Sequence, residues 1–332
     1  MIHNNYKYLY YHKCIENKYK ILKIYSSIDE FSSFSPCVFT LGVFDGVHIG
    51  HKKIIKHLLH RSYKKYTPVL LTFDPHPRKI LNPKKNLLYL NTLSEKIKNL
   101  RKIGIKHLII QPFTLKFSKL STKDFFNILQ FKIKEIIIGY DSHIGRNRYG
   151  SYNKLKKLSY VYGFNIYKIY PCKLKTKIIS STNIRKSLLL GNIKYANKAL
   201  GYFYTISGYV VKGKGIGKSI IKFPTANIKI DSPEKLIPKN GVYAVKINYL
   251  NNIYKGMLNI GFNPTINKKN KKIKIEVHIF NFSKNIYGNK IDIFIINIIR
   301  NEKKFSSIQE LKKQIQKDEI NIKNFFSYEE KN

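Results

Sequence analysis

The stretch Leu41-Gly-Val-Phe-Asp-Gly-Val-His-Ile-Gly-His51 is the clearest indication of how the first half of the chain folds. It leaves an apolar run and enters a segment with helical periodicity, so it predicts a strand, a loop and a helix in succession. Gly42 and Gly46 allow the backbone to approach a ligand closely, and the free N–H groups at a helix start attract phosphate. His48 and His51 can both donate hydrogen bonds to a triphosphate as charge grows on the leaving pyrophosphate. The stretch therefore indicates adenylyl transfer.

Two histidines beside a turn also have a plainer interpretation. They can be ordinary surface residues or a chance metal-binding pair, and for an isolated His-x-x-His that is the better interpretation. Here the strand before the histidines, the glycines between them and the helix after them all agree with phosphate binding. We therefore favour the phosphate-binding role.

The chain around this stretch alternates apolar strands with helices up to about residue 170. This order is typical of an α/β domain with a parallel sheet covered on both faces. Strands are predicted at 37–44, 68–73, 107–111, 135–139 and 165–169. Helices are predicted at 51–65, 94–103, 122–131 and 154–162, with capping boxes at Thr92/Glu95 and Ser121/Asp124.

After Tyr202 the pattern changes to short β-rich runs separated by Gly and Asn turns. Such runs predict a small antiparallel barrel, with Asn251-Asn252 as one hairpin turn, followed by a helix at 308–325 that starts with a Ser307/Glu310 capping box. The runs lie at 204–211, 241–249, 253–260, 274–280 and 290–298. We thus expect an N-terminal extension (1–36), an α/β domain (37–186), a helical bridge (187–201) and a barrel domain (202–328).

A second candidate site lies at the start of the barrel region, where Phe223-Pro-Thr-Ala-Asn-Ile228 follows a Gly-rich stretch. Backbone N–H groups at Gly213 and Gly217 can cradle phosphates, and Lys214 or Lys218 can add positive charge. Two side-chain oxygens, from Thr225 and Asn227, lie on one face of an extended strand and suit a Mg²⁺ that bridges ATP phosphates. Taken alone, a Gly- and Lys-rich loop is more typical of a solvated turn.

The 62 Lys and Arg residues against 19 Asp and Glu give a formal charge of +43. Such a charge suggests nucleic acid as a partner. The lysines, however, are spread along the chain together with many Ile, Asn and Tyr residues, which indicates compositional drift. We expect only weak, salt-sensitive binding to nucleic acid, and small molecules as the specific partners.

The sequence also limits where the chain acts. It has no apolar run long enough to span a bilayer, so we expect no membrane partner. Its three cysteines, Cys14, Cys37 and Cys172, are far apart and match neither a disulfide framework nor a zinc site. These features predict a cytoplasmic protein that is a monomer or a weak oligomer.

Several motifs of the first half, taken in order, resemble bacterial FAD synthetase, a Rossmann-like nucleotidylyltransferase with an HxGH signature. They are GVFDGVHIGH (42–51), TFDPHP (72–77), IGYDSHIG (138–145) and ISSTNIR (179–185). The resemblance implies an ATP site made of Gly42, Phe44, Asp45, Gly46, His48, His51, Ser180, Ser181, Thr182 and Arg185. Within this site, the resemblance implies that Ser180, Ser181, Thr182 and Arg185 bind the β- and γ-phosphates. It also implies that Asp74, His76 and Asp141 bind the flavin. The chain departs from the family pattern at Ser142 and Ile144, where aromatic residues are usual.

The second half resembles riboflavin kinases through motifs at 208–217, 223–227, 241–244, 259–265, 276–278, 287–288 and 300–305. The resemblance implies that Glu276 is the general base that takes the proton of the ribityl 5′-hydroxyl. It implies flavin contacts at Asn259 and Arg300. Departures occur at Lys222, where Gly is usual, and at Asn263, where Arg is common.

Both resemblances together imply a bifunctional enzyme. It would phosphorylate riboflavin to FMN and adenylylate FMN to FAD, using ATP and Mg²⁺ and releasing pyrophosphate in the second reaction. Two alternatives stay open. One is a basic RNA-binding protein derived from a similar nucleotidyltransferase fold, and the other is an enzyme in which only one domain is active.

Overall fold

The computed structural model of the chain describes residues 21–84, 86–129, 131–213, 223–262 and 273–331. The chain divides into two compact units, each with its own hydrophobic core. The first unit comprises the described residues of segments 1–43, 52–83 and 97–170. The second comprises those of 44–51, 84–96 and 171–332, so the loop that carries both histidines packs in the same unit as the barrel.

Six parallel strands form the sheet of the first unit in the order β1-β4-β3-β2-β5-β6. The strands are β1 (Lys23–Tyr25), β2 (Cys37–Leu41), β3 (Thr67–Asp74), β4 (His107–Pro112), β5 (Ile133–Gly139) and β6 (Asn165–Ile169). The helices in this part of the chain are α1 (Ile49–Ser62), α2 (Pro77–Leu81), α3 (Leu93–Ile103), α4 (Leu115–Ser118), α5 (Thr122–Asn127) and α6 (Tyr152–Tyr162). The predicted parallel α/β fold is confirmed.

Strand β2 lies inside this sheet, and all five of its residues are buried. A strand covered on both faces reads as a continuous apolar run, which is why the sequence identified it. Its neighbours are β3 and β5, so the carboxyl ends of these two strands lie on either side of the carboxyl end of β2. In open parallel sheets this edge is where ligands bind.

Six antiparallel strands of the second unit close into a barrel in the order β10-β13-β12-β11-β14-β9. They are β9 (Tyr204–Val211), β10 (Ala226–Ile230), β11 (Gly241–Tyr249), β12 (Asn252–Phe262), β13 (Ile273–Ile279) and β14 (Lys290–Asn301). Before the barrel come a short hairpin and two helices, and after it one long helix: β7 (Lys173–Leu174), β8 (Lys177–Ile178), α7 (Ser181–Leu189), α8 (Ile193–Leu200) and α9 (Ile308–Lys331). The predicted barrel with a terminal helix is confirmed.

Strand β11 shows how the barrel separates its inner and outer faces. Tyr243 and Val245 point into the barrel core, whereas Val242 and Ala244 belong to a second apolar cluster outside it. That outer cluster includes Ile322 of α9, so the long helix covers one side of the barrel. Alternation with a period of two therefore assigns every second residue of this strand to one face.

The hairpin between β11 and β12 differs from the prediction by one residue. Tyr249 pairs with Asn252, so the turn residues are Leu250 and Asn251 rather than Asn251 and Asn252. Both turn residues have positive φ, at 48° and 64°. A two-residue turn with two positive φ values matches the twist of the adjoining strands. The turn therefore requires a positive φ at Leu250, although leucine rarely adopts one.

Two of the three predicted capping boxes are complete. The Thr92 N–H donates to the Glu95 carboxylate at 3.0 Å, and the Glu95 N–H donates to the Thr92 hydroxyl at 3.2 Å. Ser121 and Asp124 form the same reciprocal pair of hydrogen bonds at α5. At α9 the prediction is half right, because Ser307 caps the Glu310 N–H at 3.1 Å but the Glu310 carboxylate accepts from Ser306 instead.

Among the helices that the structure describes, none has both the length and the apolar character required to cross a membrane.

Candidate active sites

The loop from Phe44 to His51 has a tightly constrained backbone. Gly46 has φ of +82°, and a Cβ there would lie 2.7 Å from Cδ1 of Leu90. Phe44 and Val47 also have positive φ, at 50° and 36°, which is costly for residues that carry a side chain. The Val47 N–H bonds back to the Phe44 carbonyl at 3.1 Å. A strained loop held this firmly by its surroundings is typical of a ligand-binding site.

The loop brings the two predicted histidines together. The rings of His48 and His51 stack with centroids 3.6 Å apart and planes at 16°. The backbone N–H of His51 donates to Nδ1 of His48 at 3.3 Å. Because that nitrogen accepts, the proton of a neutral His48 lies on Nε2. His48 is only 6% exposed, and Phe44 packs edge-on against the His51 ring.

The environment keeps His51 neutral. Its pKa lies well below the ordinary value of 6.5, first because the ring is buried and then because His48 and Lys96 are close. Its Nδ1 is enclosed and has no hydrogen-bond partner among the described residues, although the residue as a whole is part-exposed. An enclosed polar atom without a partner is costly in a folded protein and is often explained by a ligand.

Asp45 and Arg185 form a buried ion pair. The Asp45 carboxylate, 4% exposed, also accepts from the backbone N–H groups of Leu90 at 3.0 Å and Asn91 at 3.1 Å. Arg185 donates from Nε to the Leu88 carbonyl at 2.9 Å. The side chains of Asp45 and Arg185 thus connect the histidine loop to segment 84–96. Their contacts with ATP remain predictions.

The other predicted phosphate-binding residues lie at the start of α7. Ser180 is the N-cap, and its hydroxyl accepts from the Asn183 N–H at 3.2 Å. Ser181 donates to the Asp45 carbonyl at 2.9 Å, so this helix start lies against the histidine loop. Thr182 is exposed in the first turn. The nine-residue helix therefore presents a serine, a threonine and free backbone N–H groups beside the loop.

The residues predicted to contact the flavin lie at the carboxyl edge of the parallel sheet. Asp74 ends β3, and the His76 ring caps α2 by accepting from the Arg78 N–H at 3.0 Å. Asp141 follows β5 and is exposed. At the two departures noted in this half of the chain, the Ser142 hydroxyl accepts from the Gly139 N–H at 3.1 Å, and Ile144 is 2% exposed within the core. Gly42 follows β2 and bonds to the Leu71 carbonyl at 3.1 Å.

A row of polar side chains crosses three strands of the barrel. Asn227 of β10 lies directly opposite Glu276 of β13, which lies directly opposite Asn259 of β12. Residues opposite each other in antiparallel strands have side chains on the same face. Their neighbours along each strand belong to the barrel core, so this polar row lies on the outer face.

The predicted kinase nucleotide loop begins beside this row. A Cβ at Gly213 would lie 1.9 Å from Nδ2 of Asn227, so a larger residue there would displace the asparagine side chain. Thr225 comes two residues before Asn227 and is part-exposed. The segment is held against β13 by a 2.7 Å hydrogen bond between the Pro224 carbonyl and Nδ1 of His278. Three residues predicted for this loop lie outside the described residues: Lys214, Gly217 and Lys218.

Glu276 is paired with a lysine and is accessible. Its carboxylate forms an ion pair with Lys274 at 2.7 Å, and its side chain is 20% exposed. Lys274 lies two residues away on the same face of β13, a contact that the sequence analysis did not anticipate. The pair keeps the carboxylate on the outer face of the barrel while one side of it stays open to solvent.

Arg300 is brought to the same outer face by a β-bulge. The register of β11 against β14 shifts between Val242 and Tyr243, so Arg300 lies opposite Val242. Its guanidinium donates to both oxygens of Asp318 on α9, at 2.8 to 3.0 Å, and Asp318 is 1% exposed. The arginine therefore links the barrel to its covering helix, and its predicted flavin contact stays a prediction.

Comparison with known proteins agrees with both halves of this description. A family model for FAD synthetase matches residues 31–183, and one for riboflavin kinase matches residues 200–326. The bifunctional riboflavin kinase/FMN adenylyltransferase of Buchnera aphidicola subsp. Acyrthosiphon pisum is 39% identical over 93% of this chain and 98% of its own length. The protein of the same name from Escherichia coli K12 is 34% identical over 87% of this chain and 93% of its own length.

A solved structure shares the fold. The crystal structure of a macrolide-efflux protein from Streptococcus pneumoniae, so named, superposes with a TM-score of 0.82 at 28% identity, covering 92% of this chain and 99% of that one. The matches cover nearly the whole length of these relatives, and the two family models match the regions that contain the two sites. The chain belongs to the bifunctional riboflavin kinase/FMN adenylyltransferase family.

Proposed function

We propose that the chain performs both reactions of its family at two separate sites, with the histidine loop serving FMN adenylylation and the outer face of the barrel serving riboflavin phosphorylation. The chain thus makes FMN from riboflavin and ATP, and FAD from FMN and ATP. The observation that carries the proposal is the stacked pair His48 and His51 at a strained loop, together with the Asn227–Glu276–Asn259 row on the barrel.

In adenylylation, a phosphate oxygen of FMN attacks the α-phosphorus of ATP, and pyrophosphate leaves. Negative charge grows on the leaving group, where His48 and His51 serve as hydrogen-bond donors. His51 carries no charge of its own at neutral pH, so it offers one N–H and gains a proton more readily once phosphate is near. The start of α7, with Ser180 and Thr182, receives the outer phosphates.

In phosphorylation, the ribityl 5′-hydroxyl of riboflavin attacks the γ-phosphorus of ATP, and ADP leaves. Glu276 accepts the hydroxyl proton, since its carboxylate lies on the outer face of the barrel beside Lys274 and remains accessible. We assign Asn259, which lies opposite Glu276 in the row, to orient the flavin. In phosphoryl transfer, much of the rate enhancement over the uncatalysed reaction comes from holding the two reactants in line.

The barrel site also fits a magnesium ion. Thr225 and Asn227 offer a hydroxyl and an amide oxygen, which are donors of the hard type that Mg²⁺ prefers, and the space above Gly213 accommodates the asparagine side chain. When bound, the ion neutralises charge on the ATP phosphates. We assign Thr225 and Asn227 to hold it.

One assay tests the whole proposal. The purified chain is incubated with Mg-ATP and riboflavin as the only flavin, and products are separated by chromatography. We expect FMN first and FAD after it. A second reaction with FMN supplied reports adenylylation alone. Absence of both FMN and FAD in the first reaction would refute the barrel assignment, and absence of FAD in the second would refute the loop assignment.

A further inference from the structure

A lysine of the barrel unit is buried completely. The Lys235 side chain is 0% exposed and follows β10 in the chain. Its ammonium donates to the Glu95 carboxylate at 2.6 Å and to the Leu90 carbonyl at 2.7 Å, and it lies 4.4 Å from the centre of the Tyr204 ring. Burial lowers the pKa of Lys235, and the neighbouring Glu95 counteracts that effect. A buried charge is retained only where it is paired.

Leu90 connects this lysine to the histidine loop. Its carbonyl accepts from Lys235, while its N–H donates to the Asp45 carboxylate at 3.0 Å. Its side chain packs where a Cβ of Gly46 would lie, at 2.7 Å. One residue thus contacts the lysine on one side and two residues of the loop on the other.

The backbone strengthens the same connection. Tyr89 donates to the Glu234 carbonyl at 2.7 Å, and Leu236 donates to the Tyr89 carbonyl at 2.8 Å. Segment 88–92 therefore lies alongside residues 234–236 as a short bridge. Glu95 adds a further tie, because its second oxygen accepts from the Ser207 N–H of β9 at 3.3 Å.

We infer that Lys235 is a positioning residue for FMN adenylylation, although it lies within the region that matches the riboflavin kinase model. It fixes the Leu90 carbonyl, Leu90 fixes Asp45 and Gly46, and these hold the loop in the strained conformation that pairs His48 with His51. This inference rests on the proposed function of the loop.

The test compares Lys235→Met with the unchanged chain in two separate reactions. FAD formation from FMN is expected to fall roughly 10- to 100-fold, as small misplacements of reacting groups do. FMN formation from riboflavin is expected to stay within about twofold, because in the described part of the chain the Lys235 side chain contacts Glu95, Leu90 and Tyr204, none of which belongs to the Asn227–Glu276–Asn259 row. Lys290→Met, which removes an exposed ion pair with Asp231, serves as the matched control and should change neither rate.

A selective effect separates positioning from mere stabilisation. A general loss of stability would lower both rates together, since Lys235 belongs to the barrel unit. Hydrogen–deuterium exchange gives an independent readout, with faster exchange expected in peptides that contain 44–51 and 88–92. Equal loss of both activities, or unchanged FAD formation, would overturn the inference. If the unchanged chain makes no FAD, it is the proposed function that fails.

A second variant keeps the test decisive if Lys235→Met does not fold. The double change Lys235→Met with Glu95→Gln removes both buried charges together, which is far less harmful than leaving one unpaired. It does not restore the bond to the Leu90 carbonyl. We expect a folded protein that phosphorylates riboflavin and remains defective in FAD formation, whereas FAD formation at the normal rate in this variant would overturn the inference.

Discussion

The imidazole of His51 has an enclosed Nδ1 without a partner among the described residues, and the ring stacks on His48. We predict that His51→Ala lowers FAD formation from FMN at least about 100-fold, since it removes a donor to the leaving pyrophosphate. FMN formation should persist, because Glu276 and its row are untouched. Chromatography of both reactions measures this, with the exposed His57→Ala on the same helix as control. Equal loss of both products would refute independent sites.

Glu276 gives the converse prediction. Glu276→Gln keeps the size of the side chain but removes the base, so FMN formation should fall by roughly 100- to 10,000-fold while FAD formation from added FMN continues. Lys274→Met provides the comparison, because it breaks the same ion pair and leaves the carboxylate. Normal FMN output from Glu276→Gln would exclude Glu276 as the base.

The burial of His51 also predicts a pH dependence of stability. Its pKa in the folded chain is well below 6.5, the value expected when the chain unfolds. Below pH 6.5 the unfolded chain therefore binds the proton more readily at this residue, so His51 lowers the free energy of unfolding as the pH falls below 6.5 and has no such effect above it. The free energy of unfolding, measured with urea between about pH 5 and pH 8, should depend less on pH in His51→Gln than in the unchanged chain. The same slope in both would contradict the prediction.

The histidine pair was predictable from sequence because glycine, histidine and a helix start are local signals. The partners of Asp45 were not predictable, since the groups that bond to its carboxylate lie 45 and 140 residues away. Lys235 carries no local signal at all, as a lysine in so basic a chain predicts an exposed side chain. Contacts of this kind arise only when distant segments pack together.

Among the helices, α9 offers a direct test of its N-terminal cap. Glu310 accepts from Ser306 and Lys303, and these bonds lower its pKa to about 2. The carboxylate therefore stabilises the fold above its ordinary pKa of 4.5, and that contribution is lost as the pH falls toward 2. Glu310→Gln should lower the thermal midpoint at neutral pH and match the unchanged chain near the acid end. Glu319→Gln, in mid-helix, should have a smaller effect.

Elements were predicted most accurately where burial repeats with a clear period. Strand β2 was found from its apolar run, although the prediction extended it to Phe44, where the structure has already turned into the loop. Strand β1 was missed, because three residues that are mostly exposed give no pattern. The hairpin at Leu250 and Asn251 was displaced by one residue, since the pairing of Tyr249 with Asn252 overrides the preference of asparagine for the turn.

For the molecule as a whole, the charge of +43 predicts binding to nucleic acid without specificity. Affinity for RNA should fall steeply between about 50 and 200 mM salt and should not differ between sequences, since it arises from released counterions. Fluorescence anisotropy with two unrelated oligonucleotides measures both properties. Tight, sequence-dependent binding at physiological salt would favour the RNA-binding alternative.

The barrel's polar row is defined by strand pairing, because Asn227, Glu276 and Asn259 meet only through the register of three strands. Substitutions on exposed positions can accumulate without disturbing that alignment, as the abundance of lysine, isoleucine and asparagine in this chain illustrates. An insertion or deletion of one residue inside β10, β12 or β13 would instead turn its side chain into the barrel core. In this half of the chain, substitutions at exposed positions are therefore tolerated more readily than changes in the length of these three strands.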